Sequence, residues 1–149
     1  MFIEIDPKND VYKNLIDLAF DVCNEFILVV RKNLDLNEYA KIVLEKLKGS
    51  LKEMKEESIW ASGQLFGQTA FVYHYNTDNQ ARAIIKECSN SLHSWVQPNL
   101  PEDLSFIKND KAWLINTAHE YESYIETEDE EEIDKIIKIK GLKVKLKYL

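Results

Sequence analysis

Apolar residues recur at spacings of three and four along the segment between Pro7 and Arg31. The members of this stripe are Val11, Leu15, Leu18, Val22, Phe26 and Val29. Such spacing places side chains on one face of an α-helix, and Asp6-Pro7 just before the stripe suits a helix start. We therefore predict a short strand within residues 1–5, followed by one long central helix that ends near Arg31.

Two further helices are predicted from the same periodicity. The second follows the candidate N-cap Asn37, and its apolar stripe consists of Ala40, Val43, Leu44, Leu47, Leu51 and Met54. The third follows a capping-box sequence from Thr77 to Gln80, and its apolar positions are Ala81, Ile84, Ile85, Cys88, Leu92, Trp95 and Val96. Because proline disfavours helix at the residue before it, Pro98 predicts that the third helix ends near Gln97.

The periodicity changes to two between the second and third helices. Residues 58–68 predict a strand and a loop, and residues 69–75 predict a second strand. Successive side chains on a strand point to opposite faces. One face of the second strand would carry Phe71, Tyr73 and Tyr75, and the other Ala70, Val72 and His74. The aromatic row then either packs on a helix or lines a groove.

Residues 98–126 predict an antiparallel meander of three short strands. Aromatic and β-branched residues are separated there by polar turn residues such as Asn109-Asp110. A capping box from Thr127 to Glu130 then predicts a short helix that stops at Gly141. The last residues alternate between lysines and the apolar residues Leu142, Val144, Leu146 and Tyr148. That alternation predicts a terminal strand.

Together these patterns predict one α+β domain over residues 1–149. We expect an antiparallel sheet of about five or six strands packed against two or three helices. A chain of 149 residues has the length of one ordinary domain and can bury a substantial core. That core is expected to include Leu15, Val22, Leu44, Ile85, Leu92, Trp95, Trp113 and Ile115.

Composition predicts an ordinary globular protein of the cytoplasm. Hydrophobic residues make up 45% of the chain and charged residues 30%. The N-terminal segment has no apolar stretch of the signal-peptide kind, and the apolar run from Phe26 to Val30 is too short to span a bilayer. Cys23 and Cys88 are not part of a CxxC motif, so we expect buried free thiols in a reducing compartment.

The net charge of −7 narrows the range of expected partners. Proteins that bind nucleic acid normally carry a basic face, so that class is disfavoured. An acidic surface fits a basic protein partner, because opposite charges accelerate association. The candidate partner-binding residues are the acids beside the predicted meander, namely Glu102, Asp103, Glu128, Asp129 and Glu130.

Sequence motifs for cofactors and metal ions do not occur in the chain. The glycines of residues 58–68 form neither a GxGxxG nor a GK[ST] motif, and the acidic run of residues 126–132 does not have the spacing of a calcium loop. We therefore predict no cofactor and no metal site.

His119 and Glu120 are the adjacent residues whose side chains are best suited to catalysis or ligand binding. In a functional site, His119 would act as a general base beside the Glu120 carboxylate, or the two would form a metal-ligand pair, and His74 would approach His119 across the sheet. Adjacent side chains on a strand point apart, so the pair can converge only at a turn or a bulge. The alternative interpretation is a hydrogen-bonded histidine at a polar strand end. His93 is interpreted as a histidine at the edge of the core.

The motifs Leu100-Pro101-Glu102-Asp103-Leu104, Ala112-Trp113-Leu114 and Ala118-His119-Glu120, followed by an acidic segment, resemble a family of small uncharacterised bacterial proteins. Some members of that family carry a loose sporulation label. The resemblance covers roughly residues 60–132 and implies no catalytic role for any residue. The sporulation label refers to a membrane-anchored protein, whereas we expect no membrane segment here.

Three functional hypotheses follow from the sequence. The first is a non-enzymatic interaction protein, most concretely an immunity-type protein that neutralises a basic toxin. The second is a small hydrolase-like enzyme that uses His119, Glu120 and His74. The third is a regulatory binding protein of another kind. Convergence of the histidines and Glu120 in one cleft would favour the enzyme.

Overall fold

A computed structural model describes residues 1–146 of the protein. Its helices are α1 (Asp10–Val22), α2 (Glu38–Lys46), α3 (Asn79–Cys88) and α4 (Glu130–Ile137). Its strands are β1 (Phe2–Ile3), β2 (Glu25–Val30), β3 (Leu51–Glu57), β4 (Ile59–Trp60), β5 (Gly63–Gln64), β6 (Ala70–Asn76), β7 (Glu102–Lys108), β8 (Lys111–Thr117), β9 (Glu122–Ile125) and β10 (Val144–Lys145).

Eight of these strands form one sheet in the order β10-β1-β9-β8-β7-β2-β6-β3, and β4 and β5 form a separate hairpin. Each pair of neighbouring strands is antiparallel. The predicted α+β class is therefore confirmed. The predicted number of five or six strands is too low, because the sequence assigned two strands of this sheet to helices.

The predicted first helix is wrong beyond Val22. Cys23 ends α1 in an extended conformation, and Glu25–Val30 forms β2 near the centre of the sheet, between β6 and β7. Residues 26–29 are buried on both faces of the sheet. A strand buried on both faces is a continuous apolar run, and such a run also satisfies helical spacing.

The second and third helices are also shorter than predicted. Helix α2 does begin after the predicted N-cap Asn37, but it ends at Lys46, and Leu51–Glu57 forms the edge strand β3. Helix α3 ends at Cys88, and Leu92–Ser94 forms a separate 3-10 turn.

The two predicted threonine caps are wrong. Asp78 caps α3 by accepting a 2.8 Å hydrogen bond from Ala81 N, and Asp129 caps α4 by accepting a 3.0 Å bond from Glu132 N. The Thr77 hydroxyl instead donates to the carbonyl oxygen of Cys23 at 2.7 Å. Asp and Thr are both good caps, so local sequence does not distinguish them.

The sheet separates two apolar clusters. The larger one lies under α1, α2 and α3 and includes Trp95, Trp113 and Phe106. The smaller one lies on the opposite face under the β4–β5 hairpin and consists of Ile27, Val29, Trp60, Ala70 and Val72. Of the side chains predicted to be buried, Leu15, Ile85, Leu92, Trp95 and Trp113 are buried, whereas Val22, Leu44 and Ile115 are only half-buried.

The predicted strands after residue 98 are confirmed. The meander consists of β7, β8 and β9, and a short strand, β10, follows α4. Lys147 and Tyr148 of the predicted terminal strand lie outside the described residues. Within residues 1–146, no helix has the length and apolar character needed to cross a membrane.

Both cysteines are buried free thiols, as predicted. Burial raises the pKa of Cys23 to about 12, so the thiol stays protonated at neutral pH.

Candidate functional site

A cleft of about 620 Å³ lies between the N-terminus of α4 and the strands β7 and β8. We call it the acidic cleft. Its lining includes the acids Glu126, Glu128, Asp129 and Glu132, the lysines Lys108 and Lys111, and the apolar residues Met1, Ala112, Trp113, Ile133 and Leu146. The cleft therefore combines a partly apolar lining with an excess of carboxylates.

Glu132 belongs to the structural framework of this cleft. It is buried, and its Oε1 accepts hydrogen bonds from Trp113 Nε1 at 2.8 Å and from the Thr127 hydroxyl at 2.7 Å. Lys108 forms an ion pair with its other carboxylate oxygen. Burial alone would raise the pKa of Glu132, but the bonds from Lys108, Thr127 and Trp113 outweigh it and lower that pKa. Glu132 therefore stays ionised at neutral pH.

The other acids of this segment are exposed. Glu128, Asp129, Glu130 and Glu131 face solvent, and Asp129 also serves as the N-cap of α4. Acids in the first turn of a helix are stabilised by the helix dipole, so this charge is compatible with a stable α4. Three predicted partner-binding residues, Glu128, Asp129 and Glu130, therefore lie on the surface at or beside the acidic cleft.

Glu102 and Asp103, the other two predicted partner-binding residues, do not join that surface. Their relative exposures are only 2% and 0%, so the two groups of candidate acids do not form one exposed patch. Glu102 accepts a 2.7 Å hydrogen bond from Arg31 Nε in a largely buried ion pair. The sequence could not reveal this burial, because Arg31 lies 71 residues earlier in the chain.

Asp103 occupies an irregular position in β7. Its φ is +56°, and the pairing of β7 with β2 shifts register between Ile27 and Val29. Such a bulge turns a side chain away from the regular alternation of a strand. The Asp103 carboxylate accepts hydrogen bonds from Ala118 N at 2.9 Å and from the Ser62 hydroxyl at 3.2 Å. Burial raises its pKa to about 6, even though these bonds favour the charged form.

His119 and Glu120 lie in a 3-10 turn between β8 and β9 rather than on a strand. The turn brings His119 Nε2 within 3.8 Å of Glu120 Oε1 and His119 Nδ1 within 3.8 Å of Asp103 Oδ1. Both distances are too long for hydrogen bonds. The pair thus approaches at a turn, and its nearest buried carboxylate is Asp103, which the sequence had not linked to His119.

His74 belongs to a different cluster on β6. Its Nδ1 lies 2.6 Å from Glu25 Oε1, and its Nε2 lies 3.0 Å from Glu57 Oε2. Lys52 donates a further 3.0 Å hydrogen bond to Glu25. Both ring nitrogens of His74 are therefore engaged by carboxylates other than Glu120. Among the contacts of the described residues, His74 therefore shares no hydrogen-bonding or ion-pair partner with His119 and Glu120, and the predicted set of three residues does not form one cluster.

His93 forms a contact set that the sequence did not reveal. Its Nε2 is 3.1 Å from the Ser123 hydroxyl, and its Nδ1 is 3.7 Å from Asp6 Oδ1. The order Asp6–His93–Ser123 resembles a hydrolase triad, but Ser123 is fully buried. A substrate carbonyl cannot reach that hydroxyl. Burial also holds the pKa of His93 below its ordinary value, despite the nearby Asp6, so the ring is neutral at neutral pH.

His93 and His119 do line one shallow cleft of about 650 Å³ together with Tyr121. The rings of His93 and Tyr121 meet edge to face, with centroids 5.9 Å apart. The sequence carries no local signal for this convergence, because His93 and His119 belong to separate 3-10 turns.

Comparisons with protein-family models, curated proteins and solved structures return no match to this chain. The resemblance to a family of small bacterial proteins therefore stays a prediction.

Proposed function

We propose that this chain is a non-enzymatic interaction protein that binds a basic protein partner at the acidic cleft. The observation that carries the proposal is the exposed run Glu128, Asp129 and Glu130 at or beside a cleft that also has accessible apolar lining from Ile133 and Leu146. A lysine or arginine side chain has an apolar stem and a cationic head. The stem would lie against the apolar lining, and the head would meet the exposed carboxylates.

The lysines of the cleft make this binding selective. Lys108 is paired with Glu132 and neutralises this buried acid. The exposed acids therefore set the electrostatic potential at the opening of the cleft. A partner with a single cationic side chain at the contact would meet carboxylates on the α4 side and Lys111 on the β8 side. A cationic group of the partner placed opposite Lys111 would be repelled, so the cleft distinguishes partners by the position of their charges.

An immunity-type protein that neutralises a basic toxin is the most specific form of this proposal. A toxin that acts on nucleic acid needs a basic surface to contact phosphates. The net charge of −7 and the acidic cleft complement such a surface, and complementary charge gives fast association. Rapid capture is what a protein must achieve when it protects a cell from an enzyme.

The contacts of the histidines give the hydrolase hypothesis less support. His74 is engaged by Glu25 and Glu57, and His119 approaches Asp103 and Glu120. The serine beside His93 is inaccessible to a substrate. These placements favour binding over catalysis.

The proposal is tested by differential capture with the full chain. A rim variant carries Glu128→Gln, Asp129→Asn and Glu130→Gln, and asparagine is used at position 129 because it retains the cap of α4. A remote variant carries Asp35→Asn, Glu45→Gln and Glu87→Gln, which removes the same charge from exposed positions elsewhere. Each immobilised protein is exposed to an extract of the cells in which the protein naturally occurs, and retained proteins are identified by mass spectrometry.

We expect the wild-type chain and the remote variant to retain the same basic protein at low ionic strength. The rim variant should retain less of it. Equal retention by all three proteins would mean that the acidic run only begins helix α4, and the proposal would then be abandoned.

A further inference from the structure

Three potential metal ligands meet where β7 begins and the 3-10 turn Ala118–Glu120 follows β8. One ligand atom from each of Glu102, Asp103 and His119 lies within 4.8 Å of the others. Glu102 and Asp103 are buried, whereas the side chain of His119 is 38% exposed. The cluster therefore has two fixed carboxylates in the interior and one adjustable imidazole at its solvent side.

The charges of this cluster are incompletely compensated. Arg31 neutralises Glu102 through a single bond from Nε to Oε2. Asp103 is contacted by the dipoles of Ala118 N–H and the Ser62 hydroxyl, while Glu102 beside it adds repulsion. A buried carboxylate is normally stabilised by a cation or a metal ion, because burial removes its hydration. Apart from the attraction of His119, whose Nδ1 lies 3.8 Å from Asp103 Oδ1, one negative charge of the pair thus has no positive partner among these contacts.

We propose that Glu102, Asp103 and His119 bind a divalent transition-metal ion of the Zn²⁺ type. An imidazole nitrogen with two carboxylate oxygens is a donor set that suits such ions, whereas Mg²⁺ and Ca²⁺ prefer oxygen ligands alone. Glu102 can bind Arg31 through Oε2 and the ion through Oε1. Each oxygen of Asp103 has two lone pairs, so it can bind an ion while it accepts a hydrogen bond.

The ligand atoms, now within 4.8 Å of one another, must approach by up to about 1.5 Å to coordinate one ion. A tetrahedral site with bonds of about 2.0–2.1 Å places its ligand atoms about 3.3 Å apart. His119 Nδ1 now lies 3.8 Å from Asp103 Oδ1, and its exposed ring can rotate towards the buried carboxylates. The bonds from Ala118 and Ser62 hold the Asp103 carboxylate in place, as outer contacts do in metal sites.

Binding would add a further link between parts of the chain that hydrogen bonds already join. The ion would join the start of β7 to the turn after β8, and Ser62 would attach the β4–β5 hairpin to the same point. An ion that binds only the folded chain shifts the folding equilibrium towards it. This site shares no residue with the acidic cleft and goes beyond the proposed function.

The test is calorimetric titration of the chelator-treated full chain with Zn²⁺, together with thermal unfolding in its presence. We expect one Zn²⁺ per chain in the wild type and a higher unfolding temperature with the ion. His119→Gln should weaken binding at least tenfold and remove most of the thermal shift. It changes a half-exposed side chain, so the fold is retained, which circular dichroism verifies. Asp103→Asn, which tolerates the positive φ, should weaken binding similarly.

The matched control is His74→Gln, which removes a histidine held between two carboxylates elsewhere in the sheet. It should leave Zn²⁺ affinity within twofold of wild type. Absence of binding to the wild type would overturn the proposal. So would equal affinity in wild type and His119→Gln, which would place the ion away from His119, and so would a loss confined to His74→Gln.

Discussion

Trp113 Nε1 donates a 2.8 Å hydrogen bond to Oε1 of Glu132, an acid in the first turn of α4. This contact divides the acidic segment into two parts. Glu132 is buried and bound by Trp113, Lys108 and Thr127, whereas Glu128, Glu130 and Glu131 before it face solvent. The acids at this end of α4 thus differ in burial and in hydrogen bonding.

Glu132→Gln should destabilise the protein by about 1–3 kcal/mol, because hydrogen bonds to a charged group are stronger than neutral ones. The glutamine would keep one acceptor for Trp113 but lose the charge opposite Lys108. Denaturant titration measures the change. Glu131→Gln is the matched control, since Glu131 is exposed one residue earlier, and it should alter stability by less than about 0.5 kcal/mol. Equal effects of the two variants would contradict a framework role for Glu132.

Asp103→Asn should change how stability depends on pH. Burial raises the folded-state pKa of Asp103 from 3.8 to about 6, so its stabilising contribution is present below about pH 4 and is lost as pH rises through about 6. The free energy of unfolding of the variant minus that of wild type should therefore be larger, meaning a relatively more stable variant, at about pH 7.5 than at about pH 4.5. Urea titrations with a metal chelator measure both values. A difference that stays constant with pH would contradict the raised pKa.

Trp95→Ala should cost about 3–5 kcal/mol of stability, since the indole is fully buried. Trp95 Nε1 also donates to the Tyr12 hydroxyl at 3.1 Å, and that hydroxyl donates to Ile85 O at 2.8 Å. Trp95→Phe keeps much of the apolar contact and leaves the bond from Tyr12 to Ile85 possible, so it should cost clearly less. Denaturant titration ranks the two variants. A loss below about 1 kcal/mol for Trp95→Ala would place this residue outside the energetic core.

The rim variant should associate more slowly with a basic partner and show a weaker dependence of the association rate on salt. Charges at the rim of an interface mainly govern encounter, whereas buried contacts govern dissociation. The dissociation rate should therefore change little. Surface-plasmon kinetics at two ionic strengths measure these rates once capture has identified the partner. The remote variant should keep most of the wild-type association rate, and an equal slowing of both variants would point to net charge rather than to the acidic cleft.

Local sequence was sufficient for the features that depend on neighbouring residues. The cap at Asn37, the strand pattern of residues 69–75, the three-stranded meander and the α+β class all follow from periodicity and turn chemistry. These signals are carried within a few residues, because helix capping and strand alternation are short-range properties.

Tertiary contacts decided between structures that local sequence patterns do not distinguish. Phe26–Val29 satisfies helical spacing, yet pairing with β6 and β7 makes it a central strand. Glu102 is a charged residue of a type that normally lies on the surface, yet its ion pair with Arg31 allows it to be buried. A bulge turns Asp103 towards the 3-10 turn that carries His119. Burial and convergence depend on partners that are distant in sequence, and short-range residue patterns do not show which distant partners will meet.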